Sequence, residues 1–263
     1  MAESTNISGI ADDSRPNAGR IYDYFLGGNH NFEIDRMAAN KLLEENPAIP
    51  KMLKMLRWFL GEATRRLIDE GFTQFLDFAS GLPVQDHIHQ IAPAGTKVVY
   101  SDIDPVTVAY AQELIVNNPN VKYVHCDAGK PEELLNSGII EKMFDKSKKI
   151  AIGMCGITYF LPDDKLIHAL DTIYNWSEKG YKLFISENDA ISPETHVAND
   201  AFAKMGSPFY WRTQKKFQEL IKNWKVVEPG YQEFEQWLNI PGLVTEAEKL
   251  QTGGPWYGVI YEK

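Results

Sequence analysis

Cysteine is almost missing from this chain. Among 263 residues only Cys126 and Cys155 occur, each inside an apolar run. Two such thiols make no disulfide framework, and no C-x-x-C or H-E-x-x-H is present to hold zinc. Of the six histidines, His87 and His89 stand two apart on a predicted helix and do not share a face. No metal site is expected. Basic charge is also short: 27 Lys and Arg stand against 36 Asp and Glu, a formal net charge of −9. The richest basic stretch, Lys142–Lys149, is brief, is broken by Asp145 and reads as a solvated loop. Nucleic-acid binding needs clustered cations to displace counterions, so nucleic acid is disfavoured as a partner. There is no run of 18 apolar residues, so no membrane span is expected. The opening, MAESTNISGIADDSRP, is polar and acidic, unlike a signal or transit peptide. A reducing cytoplasm is the compartment these features suggest.

Apolar material, by contrast, is plentiful. Hydrophobic residues make up 44% and aromatics 12%, enough for a large core. Residues 1–16 read as a disordered polar tail, 17–70 as an N-terminal helical cap and 71–263 as an α/β domain. The cap carries three predicted helices: Arg20–Leu26, Asp35–Asn46 and Pro50–Glu70. The last has Leu53, Leu56, Leu60, Ala63 and Leu67 at spacings of three and four, a core-facing stripe, with Gly71 placed to cap it.

From residue 74 the period changes. Short apolar runs predict strands at Gln74–Phe78, Lys97–Ser101, Val121–Cys126, Lys149–Met154 and Tyr181–Ser186. Trp224–Val227 and Trp256–Tyr261 follow. Helices are expected between them, over Val84–Ile91, Pro105–Asn117, from Pro131, and over Asp163–Trp176. Pro193–Met205 and Thr213–Lys222 complete the set. Strands alternating with helices imply parallel βαβ units, and runs without alternation suit strands covered on both faces.

Ligands of an open parallel sheet bind at the carboxyl ends of its strands. After the first strand stands Asp77-Phe78-Ala79-Ser80-Gly81-Leu82-Pro83, a turn of small residues that lets backbone approach a ligand. It is not a G-x-G-x-x-G fingerprint: Gly81 is its one glycine, and Ala79 takes the place of the first. The second strand ends at Asp102-Ile103-Asp104-Pro105. Asp102 is placed to accept hydrogen bonds from ribose hydroxyls, and Asp104 to cap the helix that Pro105 opens. The third strand ends at Asp127-Ala128, where a carboxylate can accept an adenine amine. These acids lie 25 residues apart, one βαβ period. Together they read as an adenosine site.

These residues also carry a resemblance. Arg20 to Phe32 reads RIYDYFLGGNHNF and is followed by Asp35-Arg36. That resembles the opening signature of a bacterial S-adenosyl methyltransferase family, long catalogued as a domain of unknown function. The likeness continues through Phe75–Pro83, Val98–Pro105, Tyr123–Asp127 and Phe160–Asp164, and spans roughly residues 14–261. It implies a Rossmann-like class I methyltransferase fold: a seven-stranded, mostly parallel sheet with an antiparallel last strand, plus the helical cap. It implies S-adenosyl-L-methionine as cofactor. Asp77, Ala79 and Gly81 would line its methionine and ribose side. Asp102 and Ile103 would meet the ribose, and Asp127 and Ala128 the adenine. Cys155 and Gly156 would form the floor beneath the sulfonium. Arg20, Tyr22 and Asn31 would close over cofactor or acceptor. Ala79 departs from the glycine that the family usually keeps.

Methyl transfer from a sulfonium is mostly in-line positioning, with a base needed where an oxygen or nitrogen acceptor must lose a proton. His30, Tyr159, Glu187 and His196 are the candidates. Cys155 lacks the preceding proline of a cytosine-C5 nucleophile, so it reads as an inert buried thiol. The acceptor expected is a small molecule, partly apolar, held by the cap and the aromatic run Ser207–Trp211. Two other readings stay open: a non-catalytic protein that binds S-adenosylmethionine or S-adenosylhomocysteine, and an NAD-dependent oxidoreductase.

Overall fold

A computed structural model describes residues 14–83, 86–190, 202–204 and 206–263. At its centre lies a sheet with strands β1 (Gln74–Asp77), β2 (Lys97–Asp102), β3 (Val121–His125), β4 (Ala151–Met154) and β5 (Lys182–Asn188). Two-residue strands β6 (Lys225–Val226) and β7 (Gln232–Glu233) precede β8 (Trp256–Glu262). The order is β3-β2-β1-β4-β5-β8-β6, and β7 also pairs with β8. β1 to β5 pair in parallel, and β8 runs antiparallel to β5. This is the Rossmann-like methyltransferase arrangement, with eight strands where the sequence predicts seven. The extra one, β7, has too few residues for a period to register.

Successive strand residues feed two separate cores, because side chains alternate across the sheet. Leu76, Val99, Ile152 and Leu183 point to one side and meet Leu166, Ala169, Leu170 and Ile173 of the helix Asp163–Trp176. Phe75, Val98, Ala151 and Phe184 point to the other and meet helix α3 (Ile49–Asp69) through Met55, Phe59, Ala63 and Leu67. Of the helices in the cap expected over 17–70, α3 thus forms one of the sheet's covering layers. Helices α1 (Ala18–Phe25) and α2 (Glu33–Glu45) share a smaller cluster of Ile21, Phe25, Ala39, Leu42 and Phe202. α3 ends as Gly71 predicts. Gly71 takes φ +91°, and the Phe72 and Gly71 N–H groups donate to the Leu67 and Ile68 carbonyls, the paired bonds of a Schellman cap.

Elsewhere the boundaries shift. The helix expected over Val84–Ile91 is a single turn, Ile88–Ile91, preceded by Asp86 at φ +52°. Short helices Ile139–Met143, Phe234–Trp237 and Glu246–Gln251 carry no periodic signal at their length. Of the helix expected over Pro193–Met205, residues 202–204 are helical and the rest lies outside the described residues.

The family-like N-terminal motif folds on itself. Arg20 Nε donates to Asp35 Oδ2 at 2.7 Å, and both side chains are buried. Asp35 also accepts the Asn17 and Phe32 N–H groups. Asp23 Oδ2 accepts the His30 N–H and Asn31 Nδ2, while Arg36 donates to Asn31 Oδ1. A β-carbon on Gly28 would stand 2.1 Å from Asp23 Oδ1, so only glycine lets the turn close over that carboxylate.

Candidate active site

Strand order reverses between β1 and β4, and at that switch point the carboxyl ends of the strands diverge. A cavity of about 420 Å³ opens there. Its floor is made by the strand-end residues. Tyr22 and Phe25 of α1 and Met52, Leu56 and Arg57 of α3 form one wall. Phe160, Phe202, Phe209, Trp211 and Trp256 form another.

The first-strand turn combines two left-handed residues, Ala79 at φ +53° and Gly81 at φ +63°. Such geometry suits glycine, and for alanine it costs about 1 kcal/mol. Ser80 Oγ donates back to the Asp77 carbonyl at 2.8 Å. Asp102 reaches across from β2 and accepts the Gly81 N–H at 3.0 Å and the Asp104 N–H at 2.9 Å. Asp104 caps the next helix through the Thr107 N–H, as its position before Pro105 predicts.

Burial governs the electrostatics. Asp77 is 1% exposed, and neither carboxylate oxygen has a hydrogen-bond partner. Desolvation pushes it up to about 6, against the pull of Ser80 and Arg57. Asp102 also rises to about 6 through burial, despite its backbone hydrogen bonds. Asp127 accepts the Gly129 N–H at 2.8 Å. Burial pushes the Cys155 thiol well up, away from the thiolate a nucleophile needs. The Gly156 N–H donates to Ser186 Oγ at 2.8 Å.

Asp77, Ala79, Gly81, Asp102, Ile103, Asp127, Ala128, Cys155, Gly156 and Tyr22 all line this one cavity. Arg20 and Asn31 do not. Arg20 donates to Asp35, and Asn31 donates to Asp23 and Gly28, contacts that brace the α1–α2 turn. Of the candidate bases, Tyr159 lines the cavity, and burial raises its hydroxyl well above the ordinary range. Glu187 lies buried behind it, pushed up to about 7, with Oε2 unpartnered. His30 sits away from the cavity, edge-on to Tyr110 at 5.1 Å. His196 lies outside the described residues.

Arg57 belongs to the cavity although no motif marks it in the sequence. This guanidinium lines the cavity, is 6% exposed, and sits 5.3 Å from the centre of the Tyr22 ring. A signal existed: an arginine directly follows Leu56 within the apolar stripe of α3, where a solvated residue does not belong.

A switch-point cavity on this sheet, with acids at three successive strand ends, defines a Rossmann-like methyltransferase. The chain matches the S-adenosyl methyltransferase family over residues 4–258 and belongs to it. It is an S-adenosylmethionine-dependent methyltransferase. The donor is thereby a sulfonium rather than a nicotinamide dinucleotide. Solved structures agree. A protein from Thermobifida fusca, described as a candidate methyltransferase, is 28% identical with a TM-score of 0.85, over 96% of each chain. A DUF574 family protein from Streptomyces avermitilis is 25% identical with a TM-score of 0.85, over 96% of this chain and 99% of that one. The magnesium protoporphyrin IX methyltransferase of Synechocystis, solved with bound S-adenosylhomocysteine, is 10% identical, with a TM-score of 0.54 over 92% of each chain, and shares the fold. Comparison with curated proteins gives no match.

Proposed function

We propose that this methyltransferase acts on a small, largely apolar acceptor at oxygen or nitrogen. The observation that carries this reading is the division of one cavity into a carboxylate-lined half at the strand ends and an aromatic half beneath α1. The polar half fits S-adenosylmethionine. Asp102 keeps lone pairs for ribose hydroxyls beyond the two N–H groups it accepts. Asp127 stands one strand further along for the adenine amine. Asp77, buried with no partner of its own, matches a cationic group. The left-handed turn at Ala79–Gly81 keeps side-chain bulk away from the nucleoside.

The aromatic half sets the acceptor. Phe160 and Phe209 stack at 4.8 Å, Phe202 lies 4.6 Å from Phe209, and Trp211 lies 4.9 Å from Phe209. Such a wall favours a flat or branched apolar body. Bound S-adenosylmethionine supplies a methyl group on a positively charged sulfur. The work of the protein is then alignment. Gly156 offers backbone at the floor, and Tyr159 presents its hydroxyl beside it. With its ionisation suppressed by burial, Tyr159 acts as a hydrogen-bond partner that orients an acceptor hydroxyl or amine.

The experiment is calorimetric titration with S-adenosylmethionine, S-adenosylhomocysteine and NAD, followed by a methyl-transfer screen of small phenols, amines and carboxylic acids. Micromolar binding of the first two and turnover of an apolar member support the reading. Turnover confined to protein or RNA acceptors overturns it.

A further inference from the structure

One buried cation stands behind the aromatic wall and spends its donors on main chain. Arg212 is 3% exposed, follows the run Ser207–Trp211 and does not itself line the cavity. Its Nη1 donates to the Thr158 and Tyr210 carbonyls, each at 3.1 Å, and its Nη2 to the Leu161 carbonyl. Its Nε donates to Asp163 Oδ1 at 2.8 Å. Asp163 opens the helix Asp163–Trp176 with its side chain 47% exposed. The buried acid Glu187 is close enough to feel this charge, yet its Oε2 has no partner. The guanidinium is therefore a tie between backbone segments rather than a counter-ion for Glu187.

The segments it joins carry the acceptor wall. Thr158–Phe160 is a single 3₁₀ turn that presents Tyr159 and Phe160 to the cavity. The Phe160 and Leu161 N–H groups close it on the Ile157 and Thr158 carbonyls, and a turn that short has little power to hold its own position. Arg212 grips it at both ends, on Thr158 and on Leu161. The third carbonyl, on Tyr210, lies between Phe209 and Trp211, which also line the cavity. The Tyr210 N–H donates to the Tyr159 carbonyl at 2.7 Å, so the two segments meet directly as well. We infer that Arg212 is a positioning residue of the acceptor site. It fixes how the Tyr159–Phe160 turn faces the Phe209–Trp211 run, and through them where a flat apolar acceptor lies. This rests on the acceptor reading above. A planar fork of N–H donors reaches three carbonyls and a carboxylate at once, which a lysine ammonium, a single point of charge, does not.

The test is fluorine NMR of the full chain with fluorotryptophan at its six tryptophans. Trp211 and Trp256 line the cavity, whereas Trp176 and Trp224 belong to the core around the helix Asp163–Trp176. Arg212→Gln is expected to displace the Trp211 signal and leave those of Trp176 and Trp224 in place, with S-adenosylhomocysteine affinity within about twofold. Two flat probes, naphthol and naphthylamine, added with S-adenosylhomocysteine, should bind the variant about tenfold more weakly than the wild type. Arg212→Lys should recover part of both changes. If Arg212→Gln does not fold, Asp163→Ala removes one partner of the guanidinium at a half-exposed position and should move the same Trp211 signal by less. An unmoved Trp211 signal, or probe affinity equal to that of the wild type, overturns this inference and leaves the acceptor reading standing. Movement of all the signals together with loss of S-adenosylhomocysteine binding also overturns it, since Arg212 would then hold the whole fold. If neither probe binds wild-type protein that holds S-adenosylhomocysteine, the apolar-acceptor reading falls and this inference with it.

Discussion

Asp102, at the end of the second strand, accepts the backbone N–H of Gly81 in the turn after the first. One carboxylate thus ties together the two strand ends between which a nucleoside would lie. Replacing Asp102 with Ala removes this tie and, on the proposed cofactor site, an acceptor for the ribose. S-adenosylhomocysteine affinity is expected to fall about 10- to 100-fold, the scale of one or two hydrogen bonds to a charged group. Asp102→Asn, which keeps one acceptor, should fall less. Calorimetry checks both, and unchanged affinity in Asp102→Ala would remove Asp102 from the site.

Cofactor affinity should rise with pH. Asp77 and Asp102 both sit near 6 through burial, and each must be ionised to meet an ammonium or a ribose. S-adenosylhomocysteine binding is therefore expected to strengthen from pH 5 to 7 and level off above. A flat profile over that range contradicts the two assignments.

The unliganded fold should respond in the opposite sense. Glu187 moves from 4.5 to about 7 because burial penalises its charge. A raised carboxyl contributes stability below its unfolded value and loses it as pH climbs through the folded one. Between pH 4.5 and 7 the wild type should therefore lose stability relative to Glu187→Gln. Denaturant melts of the two proteins across that window measure the difference, and parallel curves would refute it.

Ala79 holds a left-handed backbone that glycine adopts without strain. Ala79→Gly is expected to stabilise the protein by up to about 1 kcal/mol, the relief of strain exceeding the added freedom of the unfolded chain. Thermal melts are the check, and a lower melting temperature would mean that the methyl group packs usefully.

Phe209 packs against Tyr159, Phe160, Phe202 and Trp211 in the aromatic wall of the cavity. Phe209→Ala is expected to raise KM for the acceptor about tenfold or more while S-adenosylhomocysteine affinity stays within twofold. Loss of both together would place Phe209 against the cofactor instead.

Most of the sheet could be read from the chain. Seven strands fall within one or two residues of their apolar runs, and β1, β2, β4, β5 and β8 are buried on both faces, which requires apolar residues nearly throughout. The acids at strand ends were equally legible, since strand–helix alternation fixes where each strand meets the cavity. Local signals also placed Asp104 as a cap and Gly71 as a helix end. Which neighbours Arg20 and Asn31 would find was not legible: their side chains hydrogen-bond within the α1–α2 turn, to Asp35 and Asp23.

Sequence alone therefore determined the fold class, the acids that line the cavity and the likeness to a methyltransferase family, because each rests on local periodicity or on residues at fixed spacing. Tertiary structure decided what no spacing encodes. It placed α3 against the sheet and so brought Arg57 to a cavity whose other charge, Asp77, stands 20 residues later in the chain. It also chose between wall and brace for residues of one motif. Those outcomes depend on which buried groups find partners, and that is settled only when the chain has closed around them.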